Sequence, residues 1–449
     1  MRGFADGCIG VEQPLRQRVF AAILAIAVLV DLSAYDASLF VLWGPRQFHM
    51  PWLAAWPALE PDETNVLLVR GATLLACIGA SALYWGRRWG AWPVLALYGY
   101  LFLDHQPSYT NNGYLLLIML GVAAASTLRA PTPVWPRRIG QVALSAMYLG
   151  AGLSKLTPAF LSGDILGQAL VRYGNRYASW LGWDEPWLFA AGACAATALE
   201  LALAVGLWFP RSHRVLIPIG LSFHLGIEAL MPVRFFLFVC AAGYVLFLDA
   251  GVLSKLLERG RRIAHPALWL VALVGIAVAL EAPVYGVSTR GAVIVAAGIV
   301  LGMLAFGRGR SETAAPGRTP RRALAIALVS GMIAVQLFCI VKPALGLSKR
   351  FAWQMFSEAL IMRIDTQVMS GGRFRSATFP GADARWRTDG FRYHWTSWSE
   401  ERIYLAGYAR WLAETFDVRD VRVVVRYRLD GAAEQQASFA GHNPRVAAR

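Results

Sequence analysis

The chain has 449 residues, 57% hydrophobic and only 16% charged, and a mean hydropathy of +0.45, a balance that argues against a water-soluble enzyme. Its net charge of +15 would suit nucleic acid only if gathered on one face, whereas the basic residues sit in short loops, so no nucleic-acid partner is expected. Five cysteines (Cys8, Cys77, Cys194, Cys240, Cys339), four inside apolar runs and none in a CxxC pair, support neither a disulfide framework nor a zinc site; reduced, buried thiols are expected.

A hydrocarbon core of about 30 Å needs roughly 20 apolar residues per helix. Eleven segments approach this: 19–37, 65–85, 90–104, 113–128, 139–156, 187–209, 214–230, 233–249, 266–282, 291–307 and 323–342. The third, fourth and eighth are short, and the third and fourth read either as two spans or as one broken, tilted pair. Lys and Arg in short loops mark the cytoplasmic side. One alternate set of loops holds 19 of them, the other only Arg46, Arg172, Arg176, Arg234 and Arg290. This places the N-terminus in the cytoplasm and the C-terminal region outside. Asp31 and Asp36 stand where a small-residue cleavage site would be needed, so the first run reads as a signal anchor.

The linker SETAAPGRTPRR (311–322) is polar and cytoplasmic. From Leu345 onward, 105 residues carry 16 basic and 11 acidic side chains, a water-exposed composition. SWSEERIYLAGYARWLAETF (397–416) has helical spacing of Tyr404, Tyr408, Trp411 and Leu412 with a serine cap region. DVRVVVRYRL (420–429), then Asp430-Gly431 and AAEQQASF, reads as a β-hairpin. The expected fold is an all-α polytopic membrane bundle of about eleven transmembrane helices over residues 1–344, with a small α+β extracytoplasmic domain over 345–449.

Ionisable groups in hydrocarbon cost several kcal/mol, which singles out Asp31, Asp36, Arg70, Lys155, Glu200, His224, Glu228 and Glu281. Asp36, Arg70 and Glu281 lie near span ends, where snorkelling or a structural ion pair accounts for them. Lys155 follows the small residues Gly150, Ala151 and Gly152, which let another helix approach. A desolvated lysine can act as a neutral amine base; the alternative is a lysine snorkelling to the interface. His224 stands one turn before Glu228, on the same face, a pair suited either to orienting an imidazole or to a polar contact between helices. No His spacing suggests a metal. Asn111 and Asn112, where an outer loop enters the fourth segment, suit a polar pocket or a helix cap, although capping explains only one of them.

In order along the chain, these stretches resemble the vitamin K-dependent gamma-carboxylase family and its bacterial relatives with the horizontally transferred transmembrane (HTTM) domain. SYTNNGYL (108–115) resembles the family's Asn-rich loop, YLGAGLSKL (148–156) its lysine-bearing helix, and SFHLGIEALMPVRFF (222–236) its histidine-bearing helix. FAWQMFS (351–357) resembles the Trp-x-Met stretch that opens the outer domain, which 403–427 continues. The resemblance runs from about Leu15 to Leu429. It implies a membrane enzyme in which a lysine deprotonates a hydroquinone, dioxygen attacks the anion, and epoxidation yields a strong base. That base removes a γ-proton from a protein Glu, and carbon dioxide captures the carbanion. Carried over, Lys155 is the hydroquinone base, His224 a pocket residue and Asn111 a polar support for the reactive oxygens. Asn112 and Tyr148 join that pocket, with Glu200 and Glu228 behind it. Asn112 stands where the family's carboxylases carry a histidine, Tyr109 for a tryptophan and Ser154 for a second lysine. The outer domain is shorter, without the disulfide cysteines of animal members.

The cofactors implied are reduced vitamin K or another quinol (menaquinol or ubiquinol), O2 and CO2, with no metal. The partners are the lipid bilayer and a protein or peptide substrate at the C-terminal domain, and high Arg and Ala content suits a bacterial inner membrane. The competing expectation is a non-enzymatic membrane protein (immunity, export accessory or transporter) on the same scaffold, since fold does not fix function. No inverted hydropathy repeat points to a transporter, and no haem or iron–sulfur ligand pattern to an electron-transfer quinone protein.

Overall fold

The computed structural model describes residues 12–33, 63–104, 110–128, 132–167, 185–230, 235–263, 322–345, 351–353, 360–377, 392–394, 398–429 and 433–443, with the single positions 233, 347 and 379. Long apolar stretches with few breakers make the first part of the chain helical. In order come α1 (Pro14–Ser33), α2 (Glu63–Tyr84), α3 (Ala91–Asp104), α4 (Asn111–Ala125), α5 (Trp135–Ser154) and the short α6 (Pro158–Leu161). They are followed by α7 (Pro186–Gly206), α8 (His213–Leu230), α9 (Phe236–Val245), α10 (Ala250–Ile263) and α11 (Arg322–Val341). Proline opens α1, α6 and α7, where its missing N–H costs nothing. Thr110 and Thr157 cap α4 and α6 by accepting from Gly113 N and Phe160 N, as short hydroxyl side chains do at helix starts.

Helices form in nine of the eleven apolar segments; 266–282 and 291–307 lie outside the described residues, as do Asp36 and Glu281. Among the described residues, two helical stretches are long and apolar enough to cross a membrane by length and composition, Pro186–Gly206 and Ala323–Leu345. Gly71–Tyr84, α4 and α9 are apolar but shorter. The segment 233–249 yields only the ten-residue α9, because the chain tightens beyond it. The N–H groups of Leu246, Phe247 and Leu248 donate to carbonyls three residues back, a 3₁₀ pattern that hydropathy cannot register. The basic run 255–262, expected in a loop, lies on α10.

One core joins α1–α5 with α7–α9, drawing on Leu24, Cys77, Leu97, Met119, Leu144, Leu203 and Val239. Cys77, Cys240 and Cys339 are free and buried, whereas Cys194 is free but exposed, pointing out of α7 rather than into this core. Asp31 is buried and accepts from the Tyr98 hydroxyl at 2.7 Å. At the other end of α1, Arg16 pairs with Glu12 and donates through Nε to Leu248 O at 2.9 Å. Arg137 meets the same carboxylate at 3.0 Å, so two of the arginines that set the orientation count also tie the N-terminal segment to α5 and the α9–α10 turn.

Among the described residues, the C-terminal part forms one antiparallel sheet with one helix. β1 (Leu360–Ser370), β2 (Arg373–Ser376), β3 (Arg392–His394), β4 (Asp420–Leu429) and β5 (Gln435–His442) run in the order β2-β1-β4-β5, with β3 also on β1. Between β3 and β4, α12 (Trp398–Thr415) lays Tyr404, Leu405, Tyr408 and Leu412 over Met362, Ile364, Val421, Val423 and Val425. The alternation that marks β4 in the sequence is the alternation of its burial. The helix and the hairpin fall where the sequence puts them. β1, a central strand the sequence reading does not anticipate, pairs with β4 from Leu360↔Leu429 to Val368↔Val421.

Helix α12 meets β5 backbone to backbone at Gly441, where a Cβ would stand 1.9 Å from Ala409 O. Gly441→Ala is therefore expected to cost at least about 1–3 kcal/mol, the usual penalty of overpacking. Hydrogen exchange of the full-length protein should show β4, β5 and α12 opening more readily while the helices of the first core keep their protection; unchanged β5 protection would contradict this packing.

Candidate functional site

The site grows from α5 and the residue that caps it, with positions 148, 151 and 155 recurring at helical spacing on one face. α5 and α7 come close at Gly152, where an added Cβ would lie 2.8 Å from the Leu201 side chain, an approach that small residues permit. Just past the end of α5, Lys155 turns inward and its Nζ donates to Glu200 Oε1 at 2.5 Å. Lys155 is 4% exposed and Glu200 5%. The lysine is therefore held inside by a carboxylate rather than snorkelling to an interface. The ring of Phe160 on α6 lies 5.6 Å from the ammonium, within cation–π range.

A second polar chain crosses the same face. The Tyr148 hydroxyl and His224 Nε2 are 2.6 Å apart, and the same hydroxyl is hydrogen-bonded to the Tyr244 hydroxyl of α9. His224 is 2% exposed, with Phe236 edge-on to its ring at 5.1 Å. Lys155, Glu200, Tyr148 and His224 line a single cavity, walled otherwise by Met147, Ala151, Phe223, Ile227 and Phe236. Its volume is ≈ 20 Å³, about the space of one water molecule. A larger cleft of ≈ 660 Å³ between α5, α7 and α11 is lined mainly by apolar residues such as Val142, Leu149, Val205 and Ile333.

The structure thus brings together Lys155, Glu200, Tyr148 and His224 from three helices. Asn111 and Asn112 do not line this cavity; they are the first two residues of α4, where Thr110 rather than either amide supplies the cap. Asn112 Oδ1 is buried without a hydrogen-bond partner among the described residues. Glu228 also stands off the cavity, whose wall is formed at that turn by Ile227. Among the described residues no three His, Cys, Asp or Glu side chains gather to hold a metal ion.

A separate cluster holds the Trp-x-Met stretch. Trp353 is fully buried; its Nε1 donates to Gln336 Oε1 at 2.6 Å, and Gln336 Nε2 donates to the Tyr114 hydroxyl at 3.2 Å. Tyr114 stacks on Trp353 at 4.9 Å and meets Phe351 edge-on at 4.8 Å. Phe351 and Trp353 adopt φ of 62° and 58°, a strained backbone for large side chains that these contacts hold in place. Gly150 on α5 leaves room for them, since a Cβ there would be 2.7 Å from Ala352 O. Met355 lies outside the described residues. Gln336 and Tyr244 are absent from the sequence reading. Gln336 had a signal, as a lone amide in an apolar helix; Tyr244 had none.

The profile of the HTTM domain matches residues 15–251, a stretch that contains Tyr148, Lys155, Glu200, His224 and Tyr244. No curated protein and no solved structure matches the chain. Since the matched stretch is more than half of the 449 residues, the chain belongs to the HTTM domain family.

Proposed function

We propose that this protein is a membrane-embedded, quinol-dependent, carboxylase-like enzyme in which Lys155 and Glu200 form the proton-transfer pair. The HTTM domain is associated with the vitamin K-dependent carboxylase family. The observation that carries the reading is the 2.5 Å bond between Lys155 Nζ and Glu200 Oε1, in a cavity shared with Tyr148 and His224. An amine and a carboxylate so joined hold a proton between them and can receive or release one at either atom. The walls of Phe223, Phe236 and Ile227 keep bulk water from that exchange.

On the same reading the eleven apolar segments are spans. Residues 1–344 form the membrane domain, and 345–449 lie outside a bacterial inner membrane whose cytoplasmic face holds the N-terminus; hydropathy and the uneven spread of Lys and Arg support this. The substrates are reduced vitamin K, menaquinol or ubiquinol, with O2, CO2 and an acidic protein or peptide at the C-terminal domain. A hydroquinone ring does not fit a cavity of ≈ 20 Å³, so the reading requires the helices around it to part before a quinol meets the Lys155–Glu200 pair. That closed cavity is also what favours the second reading, a non-enzymatic membrane protein that uses the ion pair to hold its helices.

Epoxide formation in nanodiscs, with reduced vitamin K or menaquinol and oxygen, decides between them. The wild-type protein is expected to make epoxide, and Lys155→Ala and Glu200→Gln to make it about 10²–10⁴-fold more slowly, the usual reach of general acid–base catalysis. Wild-type protein that makes none with any of these quinols would leave the scaffold reading in the lead.

Stability separates the structural share of the pair from its chemistry. Lys155→Met or Glu200→Leu alone strands a buried charge and is expected to cost about 3–5 kcal/mol, whereas the double variant recovers most of this. Thermal unfolding of the three variants in nanodiscs measures it. A folded double variant without epoxide activity assigns chemistry to the pair, and single variants as stable as wild type would mean that the pair does not form.

A further inference from the structure

We propose that Glu200 Oε2 and His224 Nδ1 together bind one oxygen-bearing ligand, a water in this closed arrangement and a substrate hydroxyl during turnover; the second half of this rests on the enzymatic reading above. Each residue is committed at one polar atom only. Glu200 Oε1 accepts from Lys155 and His224 Nε2 is joined to Tyr148, while Glu200 Oε2 and His224 Nδ1 are buried with no hydrogen-bond partner among the described residues. Leaving two such atoms bare in an apolar interior is unfavourable, because each loses its hydration and gains no hydrogen bond in return. Both residues line the same ≈ 20 Å³ cavity, and a water needs about 10–15 Å³ and two to four polar partners. The space and the partners match a single oxygen.

With the imidazole neutral and the one proton of a substrate hydroxyl given to Glu200 Oε2, the ring must donate from Nδ1, and that fixes the bonding order. Tyr148 O–H donates to His224 Nε2, His224 Nδ1–H donates to the bound oxygen, and that oxygen's own O–H donates to Glu200 Oε2. The imidazole stays neutral, as a ring enclosed by Phe223 and Phe236 should. With a substrate hydroxyl in the water's place, the O–H bond breaks toward Glu200 Oε2 and a new O–H bond forms there. The electron pair stays on the substrate oxygen, which His224 Nδ1–H continues to meet. Glu200 Oε2 is then the atom that takes the proton, and Lys155, whose Nζ faces Oε1, is a positioning residue that holds the carboxylate.

Two measurements on the full chain in nanodiscs test this without turnover. Cryo-electron microscopy at water-resolving resolution is expected to show one ordered peak within hydrogen-bond distance of both atoms. With ¹⁵N-labelled histidine, His224 Nδ1 is expected as the protonated nitrogen; Glu200→Gln, which preserves shape, should shift its resonance, and Tyr148→Phe should shift that of Nε2. No peak between the two atoms, or an Nδ1 resonance unmoved by Glu200→Gln, overturns the site. A protein that shows the bridge but makes no epoxide keeps the site and loses the enzymatic reading, whereas one that makes epoxide without the bridge keeps that reading and loses the site.

Discussion

An ammonium group inside an apolar helical bundle has to be met by a counter-charge, and the pairing of Lys155 with Glu200 is the constraint around which this protein's interior is arranged. Desolvating two charges is expensive, and their attraction offsets it only with close geometry and further hydrogen bonds. The close geometry depends on α5 and α7 lying nearly in contact, which Gly152 allows. The aromatic and aliphatic walls follow from the same need, because a low-dielectric surround strengthens the pair once it is made.

α5 works on two sides. One side presents Tyr148, Ala151 and Lys155 to the cavity, and through Tyr148 it reaches His224 of α8 and Tyr244 of α9. The other side meets Ala352 and Trp353 at Gly150. The segment leading to the sheet domain is thus fastened to the helix that carries the lysine, with Gln336 of α11 and Tyr114 of α4 completing the grip. The strained backbone at Phe351 and Trp353 persists because burial of the indole and its hydrogen bond to Gln336 fix it. Strain that survives in such a place is commonly tied to a functional region.

How much of this was legible varied with the physics of each signal. Lys155, His224 and Glu200 stood out because hydrocarbon does not tolerate ionisable groups without a reason, and that rule needs no coordinates. Their partners did not stand out. Nothing at position 244 separates a tyrosine that bonds Tyr148 from one that faces lipid, and Asn111 looked like a pocket residue although Thr110 takes the cap and the head of α4 lies off the cavity. The helix Trp398–Thr415 and the strand Asp420–Leu429 were readable from periodicity, whereas β1 was obscured by polar residues on its outward face, where Arg363 is exposed and Asp365 half-buried.

By itself the sequence determined what depends on composition and short-range pattern: an apolar helical protein with a small polar α+β end, a handful of ionisable groups that had to be accounted for, and the order of family-like stretches. Tertiary structure alone decided which of those groups meet. The bond between Lys155 and Glu200 joins residues 45 apart in the chain, and that between Tyr148 and His224 residues 76 apart. Contacts at such separations arise from how helices pack, which no local spacing encodes, and so does the size of the cavity they share.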